Sequence, residues 1–390
     1  MRGIKVLCGL LAFAAVGCDF FVPQTNSGGG SSVTGNYIYV GNGNNRFIAG
    51  FGVSTSGSLS VLNNSPYNNG VAVICSAVTP GNRFLYAGTT SGIFIYAINT
   101  DGSITVQNGG NIAAQDVVPT AMQIDSTGAY LLAAGISTSF TTQAIGIYQI
   151  NGTTGLLTAL TGSPLPLYTG KASTPIVLTP TEMLITPNNS YVYVSLASLG
   201  VQVLTLGAGG VLSAGSVATI LPPFPTSSSP ADYGLGSDPS SKFLFVGEYN
   251  TGLRVLNIGT NGSLNETSGS PYPVGTGPTG VMLDSTGTYV YVANKGSNSI
   301  SGFTLTPASG RLTPISGSPF SSGGQLPIAL INDSSGKYLA VINSGSNGST
   351  GNSDLQLFKF DVTTAGKLDP VATANTGSEP TNPQTLAATH

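Results

Sequence analysis

The sequence contains no tryptophan, one histidine and very little charge. Of its 390 residues only 7% are Asp, Glu, Lys or Arg, and the formal net charge is −3. No basic cluster follows Lys5, so the sequence lacks the electrostatic pattern of a nucleic-acid-binding protein. In contrast, 40% of the residues are hydrophobic, and they occur in short, regularly spaced runs. This pattern predicts a large β-rich core.

Cysteine is also scarce, with three residues in the chain. Cys8 lies in an N-terminal apolar stretch and Cys18 directly follows that stretch, so no internal disulfide is expected in a processed chain. We expect Cys75, within an apolar run, to be a small buried side chain. The single histidine is His390, where we expect a frayed terminus in preference to a catalytic base.

The first residues have the features of a targeting segment. Arg2 and Lys5 precede an apolar stretch that is too short to span a bilayer but suits a signal peptide. The sequence Ala15-Val16-Gly17-Cys18 resembles the bacterial lipobox. This resemblance implies a lipoprotein signal peptide over residues 1–17, lipidation of Cys18 and attachment to a membrane of the bacterial cell envelope, with ordinary secretion as the alternative. Residues 18–35 then form the modified cysteine and a flexible tether rich in Gly and Ser.

Residues 275–280, Gly-Thr-Gly-Pro-Thr-Gly, match the spacing of a nucleotide-binding loop. Such a loop requires a following helix, whose N-terminal amides hold the phosphates. The sequence after Gly280 is instead a short apolar run, a turn and Tyr-Val-Tyr-Val, which predicts two strands. We therefore interpret this stretch as a loop that joins the outer strand of one repeat to the inner strand of the next.

An aromatic or apolar tetrad recurs seven times along the chain. The spacings are 47, 46, 61, 52, 46 and 49 residues, which suits a unit of four strands with their turns. The tetrads begin at Tyr37, Phe84, Tyr130, Tyr191, Phe243, Tyr289 and Tyr338.

Each tetrad predicts the second strand, strand b, of such a unit. An earlier apolar run predicts strand a, and turns such as Asp284-Ser-Thr-Gly287 join the two, with Asp capping backbone amides and Gly taking positive φ. A calcium site is disfavoured, because one carboxylate per turn is too few for its oxygen shell. Strand c follows a loop. Strand d often ends in a Ser-Pro turn, where an edge strand tolerates proline.

The two ends of the repeat region complement each other. The first repeat begins with strand b at Tyr37, and the final "NPQTLAATH" predicts a strand a with no strand b after it. Pairing these two segments closes a ring without an open sheet edge. The sequence therefore predicts an all-β fold, a seven-bladed β-propeller with four-stranded blades over residues 36–390, closed by its C-terminal strand.

The unit "GPTGVMLDSTGTYVYVANKGSNSISGFTLTPASGRLTPISGSPF" at residues 277–320 resembles the lactonase-type seven-bladed propellers, the family of bacterial 6-phosphogluconolactonases and cycloisomerase-like proteins. The resemblance covers residues 36–390 and implies lactone hydrolysis as one activity. In the enzymatic members an Arg-His pair follows the proline at the start of strand a. Here Pro278 is followed by Thr279 and Gly280, so the pair is missing.

Without that pair, a carboxylate is the remaining choice of base. We predict Glu182, Glu248 and Arg254 as catalytic residues on the face that carries the b-to-c and d-to-a loops, against the alternative that they only solvate the rim. Contacts to a polyol are predicted for six further residues: Asn42, Tyr249, Thr279, Asn294, Lys295 and Asn343. No cofactor and no metal are expected.

The sequence alone favours an envelope-anchored binding or scaffold propeller whose rim contacts carbohydrate or protein. One alternative is a lactonase that hydrolyses a sugar lactone with carboxylate chemistry. The other is a domain that kept the fold and lost its ligand.

Overall fold

A computed structural model describes residues 35–43, 45–167, 179–197, 200–214, 234–249, 251–345, 354–361, 363–377 and 383–390. These residues form 31 strands in seven antiparallel sheets, and the only helical segments among them are short 3₁₀ turns. Within these ranges no helix is both long and apolar enough to cross a membrane.

Each sheet is one blade of a propeller. Blade 1 contains β1 (Tyr37–Asn42), β2 (Phe47–Val53), β3 (Leu59–Val61), β4 (Tyr67–Asn68) and β31 (Pro383–Ala388). Blade 2 contains β5 (Val73–Val78), β6 (Phe84–Thr89), β7 (Gly92–Ile98) and β8 (Ile104–Val106). Blade 3 contains β9 (Val117–Ile124), β10 (Tyr130–Ser137), β11 (Gln143–Ile150), β12 (Leu157–Ala159) and β13 (Leu165–Pro166).

The remaining four blades follow in chain order. Blade 4 contains β14 (Glu182–Ile185), β15 (Tyr191–Ser195), β16 (Val201–Leu206) and β17 (Leu212–Ala214). Blade 5 contains β18 (Leu235–Ser237), β19 (Phe243–Glu248), β20 (Gly252–Ile258) and β21 (Leu264–Glu266). Blade 6 contains β22 (Pro278–Leu283), β23 (Tyr289–Asn294), β24 (Ser299–Thr306), β25 (Arg311–Pro314) and β26 (Phe320–Ser321). Blade 7 contains β27 (Pro327–Asn332), β28 (Tyr338–Asn343), β29 (Leu355–Phe360) and β30 (Leu368–Ala374).

The seven tetrads form strand b of their blades, as the repeat predicts. Strand b is paired on both sides and covered on both faces, which explains why it is continuously apolar. Hydrophobic clusters fill the space between neighbouring blades, one for each of the seven junctions seen among the described residues. The core is therefore divided into seven layers between sheets.

The strands a form the inner ring. Each contacts the strand a of the blade before it and of the blade after it, in the order β31, β5, β9, β14, β18, β22, β27 and back to β31. Their edges therefore surround the central channel. We call the face that carries the d-to-a and b-to-c loops the upper face, and the opposite face, with the a-to-b and c-to-d turns, the lower face.

Aspartates cap the a-to-b turns on the lower face. Asp284 accepts hydrogen bonds from the main-chain nitrogens of Thr288 at 2.7 Å and Tyr289 at 2.6 Å. The same arrangement recurs at Asp125, Asp238 and Asp333. The capping function predicted for these turns is confirmed.

The Ser-Pro turns differ from the expectation in one respect. Ser318 Oγ accepts a hydrogen bond from Gly302 N of strand c at 2.9 Å, and Ser65, Ser163 and Ser270 make the equivalent bond. After the turn the chain pairs with strand c again, as β4, β13 and β26. The turn is therefore an interruption of the outer strand, because the serine takes over one ladder hydrogen bond.

Blade 1 is closed by β31, which pairs antiparallel with β1. Thr389 substitutes for the capping aspartate, since its Oγ1 accepts a hydrogen bond from Tyr37 N at 2.9 Å. His390 N donates to Asn82 Oδ1 at 2.8 Å, and Asn82 Nδ2 donates to His390 O at 2.9 Å. The predicted ring closure is confirmed, whereas the expected frayed terminus is wrong because blade 2 holds His390.

Candidate functional site

The predicted site residues all belong to the upper face, but they lie in different surroundings. Glu182 begins the inner strand of blade 4, whereas Glu248 and Arg254 lie on strands b and c of blade 5. Glu182 makes its hydrogen bond with its own neighbour, from Met183 N to Oε1 at 3.1 Å. The structure therefore brings Glu248 and Arg254 together and keeps Glu182 apart from them.

Glu182 is partly buried at the mouth of the channel. Both Glu182 and the Cys75 thiol of blade 2 belong to strands of the inner ring, and the negative charge of Glu182 contributes to the raised pKa of that thiol. Burial raises the pKa of Glu182 from its usual 4.5 to about 7, although the Met183 N–H bond favours the charged form. No lysine or arginine in the described part of the chain pairs with it. A carboxyl of this kind changes protonation near neutral pH.

Glu248 and Arg254 form a buried ion pair. Arg254 Nε donates to Glu248 Oε1 at 2.7 Å, and a second guanidinium nitrogen donates to Oε2 at 3.0 Å. Another guanidinium nitrogen lies 2.7 Å from Glu266 Oε1, which also accepts a hydrogen bond from Ser270 Oγ at 2.9 Å. The bond to Glu248 raises the pKa of Arg254 above its usual range. These bonds link strands b, c and d of blade 5. Because Glu248 is only 1% exposed, the pair is poorly placed to reach a ligand.

Glu248 occupies a position that repeats in every blade. Each strand b ends in a polar residue that is almost fully buried. The seven are Asn42, Thr89, Ser137, Ser195, Glu248, Asn294 and Asn343. In blade 6, Asn294 Nδ2 donates to Ser301 Oγ at 3.0 Å, and Ser301 matches the strand-c position of Arg254. The Glu248–Arg254 ion pair of blade 5 therefore takes the place of the neutral Asn294–Ser301 hydrogen bond that joins strands b and c of blade 6 near their turn.

The three asparagines predicted to bind ligand lie in this buried ring. Asn42 accepts a hydrogen bond from Thr376 Oγ1 at 3.2 Å, and Asn343 Nδ2 donates to Ser322 O at 3.2 Å. The side chains of Asn42, Asn294 and Asn343 are 0% exposed. Their ligand-binding function stays a prediction, and in this structure they connect loops.

Thr279 and the glycine-rich loop are also placed differently from the expectation. The loop ends at Gly277, because Pro278 to Gly280 belong to β22 and Pro278 pairs with Asn294. Thr279 Oγ1 donates to Pro327 O of blade 7 at 3.0 Å. The hydroxyl thus joins two inner strands, and no helix follows this loop among the described residues.

Tyr249 and Lys295 lie close to each other around Gly277, at the junction of blades 5 and 6. A methyl group added at Gly277 would lie 3.2 Å from Tyr249 Cε2, so the edge of the tyrosine ring contacts this glycine. Lys295 N donates to Gly277 O at 2.8 Å, and Gly296 N donates to Thr276 O at 2.9 Å. Tyr249 remains 45% exposed. The contacts of Thr276 and Gly277 at this junction, and of Glu266 and Ser270 in the ion-pair network, were not predicted from the sequence.

Cys75 is buried, as expected, and burial raises the pKa of its thiol. Within the described residues, no group of three or more His, Cys, Asp or Glu side chains could hold a metal ion. Cys18 lies outside the described residues.

Seven antiparallel sheets, each with strands a to d in order from the channel outward, define the class of this protein, a seven-bladed β-propeller. Residues 267–383 match a family model described as "Lactonase, 7-bladed beta-propeller", which confirms the resemblance to that family seen in the blade motifs.

Solved structures of the same architecture are similar over nearly the whole chain. A protein from Lactobacillus plantarum has a TM-score of 0.68 at 18% identity, with 92% of this chain and 100% of that chain covered. The periplasmic gluconolactonase of Pseudomonas aeruginosa has a TM-score of 0.68 at 18% identity, with coverage of 91% and 99%. A Bacteroides fragilis protein named as a candidate 6-phosphogluconolactonase has a TM-score of 0.66 at 17% identity, with coverage of 93% and 99%. At this identity the likeness establishes the fold.

Proposed function

We propose that this propeller hydrolyses a sugar lactone at the upper mouth of its channel, with Glu182 as general base. The observation that carries the proposal is the Glu182 carboxyl, which lies at the start of an inner strand, has a raised pKa and is not paired with a cation in the described residues. Glu248 and Arg254 would support the upper face through their ion pair and would not take part in the chemistry. The names of two similar structures support lactones as the substrate class.

In the proposed reaction, the Glu182 carboxylate removes a proton from a water molecule while the water oxygen attacks the lactone carbonyl carbon. The bond between that carbon and the ring oxygen then breaks. The proton held by Glu182 passes to the departing ring oxygen, so the product is an open-chain hydroxy acid and the carboxylate is regenerated. The step requires no cofactor.

The first prediction tests this reaction with Glu182→Gln, which keeps the shape of the side chain and removes the base. We expect hydrolysis of gluconolactone, followed by pH-stat and corrected for the spontaneous rate, to fall by at least about 100-fold. In the unchanged protein kcat/KM should rise with pH and level off above about 7, because the base is the deprotonated form.

The control is Asp369→Asn, which removes a carboxylate from the outer strand of blade 7 and should leave the rate unchanged. Equal rates for Glu182→Gln and the unchanged protein would rule out Glu182 as the base. If neither gluconolactone nor its 6-phospho form is hydrolysed above the spontaneous rate, the binding or scaffold function favoured by the sequence becomes the better proposal.

We also infer that the protein is anchored in the bacterial cell envelope through a lipid on Cys18, with secretion as the alternative. The lipobox resemblance at residues 15–18 supports this proposal. Metabolic labelling with radioactive palmitate should mark the unchanged protein and not Cys18→Ser, with Cys75→Ser as the matched control. Equal labelling of the unchanged protein and Cys18→Ser would contradict the anchor.

A further inference from the structure

Blade 5 departs from the other blades where its strand b ends. The residues that follow this end in the seven blades are Gly43, Thr90, Thr138, Leu196, Tyr249, Lys295 and Ser344. Among these seven described positions, only blade 5 has an aromatic side chain, and this ring is 45% exposed. Blade 5 is also the only one of the seven blades whose described strand b ends in a charged residue, Glu248. Two departures at adjacent residues of a repeat indicate a local function.

Two glycines, Gly277 and Gly296, lie in the loops next to the Tyr249 ring. Gly277 has a φ of 64° and Gly296 follows Lys295 in the next b-to-c turn, so neither presents a side chain to the upper face. Because an added methyl at Gly277 would lie 3.2 Å from Tyr249 Cε2, one edge of the ring rests on this loop while the rest faces solvent. Gly277 is itself buried, so the exposed part of this surface consists of Tyr249, Thr276 and Gly296.

A hydroxyl group lies at the border of this surface. A methyl group added at Gly296 would be 2.8 Å from Thr276 Oγ1, which places that hydroxyl directly over the glycine. Thr276 is exposed, and its hydroxyl forms no hydrogen bond within the described part of the chain. It is therefore available as donor and acceptor to a ligand.

The buried ion pair holds Glu248, the residue that precedes Tyr249. Glu248, the preceding residue, receives two hydrogen bonds from Arg254, and Thr251 N donates to Glu248 O at 3.2 Å across the turn. An aromatic ring next to an anchored residue loses less freedom when a ligand binds, which favours affinity.

We propose that Tyr249, Thr276 and Gly296 form a carbohydrate-binding platform, on which a neutral pyranose ring stacks against Tyr249 and hydrogen-bonds to Thr276. An amphipathic ligand fits this combination, because aromatic side chains supply apolar contact area while a few polar groups fix orientation. The platform is separate from Glu182 and does not depend on lactone hydrolysis.

The test labels the tyrosines of the full chain with 3-fluorotyrosine and identifies the Tyr249 signal by its loss in Tyr249→Phe. We expect maltohexaose, cellohexaose or chitohexaose to shift this ¹⁹F signal in a saturable manner. In calorimetry with the sugar that binds, Tyr249→Ala should weaken affinity by about tenfold or more, whereas Tyr249→Phe, which keeps the ring, should stay within about threefold.

The matched control is Phe140→Ala, which removes another exposed aromatic side chain of the upper face, on blade 3, and should leave affinity unchanged. Circular dichroism and melting curves verify that each variant is folded. The platform is overturned if none of the three sugars shifts the Tyr249 signal, or if Phe140→Ala and Tyr249→Ala weaken binding equally.

Discussion

Glu182 and Glu248 show how differently one residue type behaves in this fold. Both lie on the upper face, in neighbouring blades, and both are withdrawn from bulk solvent. Glu248 receives two hydrogen bonds from Arg254, whereas Glu182 has one bond from its own neighbouring amide. Desolvation without a cation favours the neutral carboxyl, which raises the pKa of Glu182 to about 7.

The second prediction concerns the pH dependence of stability at Glu182. Its pKa is about 7 in the folded chain, above its usual 4.5, so the folded state binds the proton more tightly. The resulting stability is complete below pH 4.5 and is lost as the pH rises through 7. Since each tenfold change in proton affinity is worth about 1.4 kcal/mol, the loss is at most about 3.5 kcal/mol.

Glu182→Gln removes this proton linkage. Urea unfolding from pH 4.5 to 8.5 should show the variant gaining stability relative to the unchanged protein above pH 7, and no such gain at pH 4.5. A difference between the two proteins that stays constant with pH would contradict the raised pKa.

The environments of these residues could be predicted only in part. The b-to-c hairpin places Arg254 opposite Val246, on the same sheet face as Glu248, so the spacing of six residues across a tight turn was a usable sign of an ion pair. Glu266 belongs to a different hairpin, and its approach to Arg254 depends on the register of strand d. The raised pKa of Glu182 depends on packing between inner strands from several blades, which one sequence does not reveal.

At the scale of strands, the seven repeats of the sequence can be aligned with one another, and this alignment identifies equivalent strands. The tetrads predict strand b because a strand covered on both faces must be apolar throughout, and all seven lie there. The starts of the strands a were less predictable, since β22 and β27 begin at Pro278 and Pro327. A proline is tolerated there because the inner edge of strand a faces the channel and needs no ladder donor.

The third prediction follows from aligning blades 5 and 6. Glu248→Asn should destabilise the chain by about 3 kcal/mol, because Arg254 keeps its buried charge and loses its main partner. The double variant Glu248→Asn with Arg254→Ser installs the pair found in blade 6 and should recover most of that loss.

Urea unfolding of the two single variants and the double variant gives the coupling between the residues. The control is Asn294→Ser in blade 6, which should cost less than Glu248→Asn because no charge is left unpaired. A double variant as unstable as Glu248→Asn would show that the ion pair is not interchangeable with the neutral contact.

At the scale of the whole molecule, closure depends on β31. It supplies the inner strand of blade 1 and contacts the inner strands of blades 2 and 7. The fourth prediction is that deletion of residues 383–390 lowers the melting temperature by about 10 °C or more and promotes aggregation, because β1 becomes an open edge.

A synthetic peptide with the sequence of residues 383–390 should bind the shortened chain and restore part of the lost melting temperature. The same peptide with Ala in place of Thr389 should restore less, since Thr389 Oγ1 accepts the hydrogen bond from Tyr37 N. A scrambled peptide is the control. Unchanged melting of the shortened chain would mean that the ring does not need this strand.

The pairing of β31 with β1 also determines the order in which the molecule is completed. Blades 2 to 7 are each built from consecutive segments, so their sheets can form as soon as those segments leave the ribosome or cross a membrane. Blade 1 stays incomplete, with β1 unpaired on its inner edge, until more than 300 further residues have been made, since Ile38 pairs with Ala388. For most of its synthesis the chain is therefore an incomplete ring, with an unpaired surface at each of its two ends. Premature contact between incomplete rings of different chains, and not instability of the finished ring, is the hazard that this topology creates.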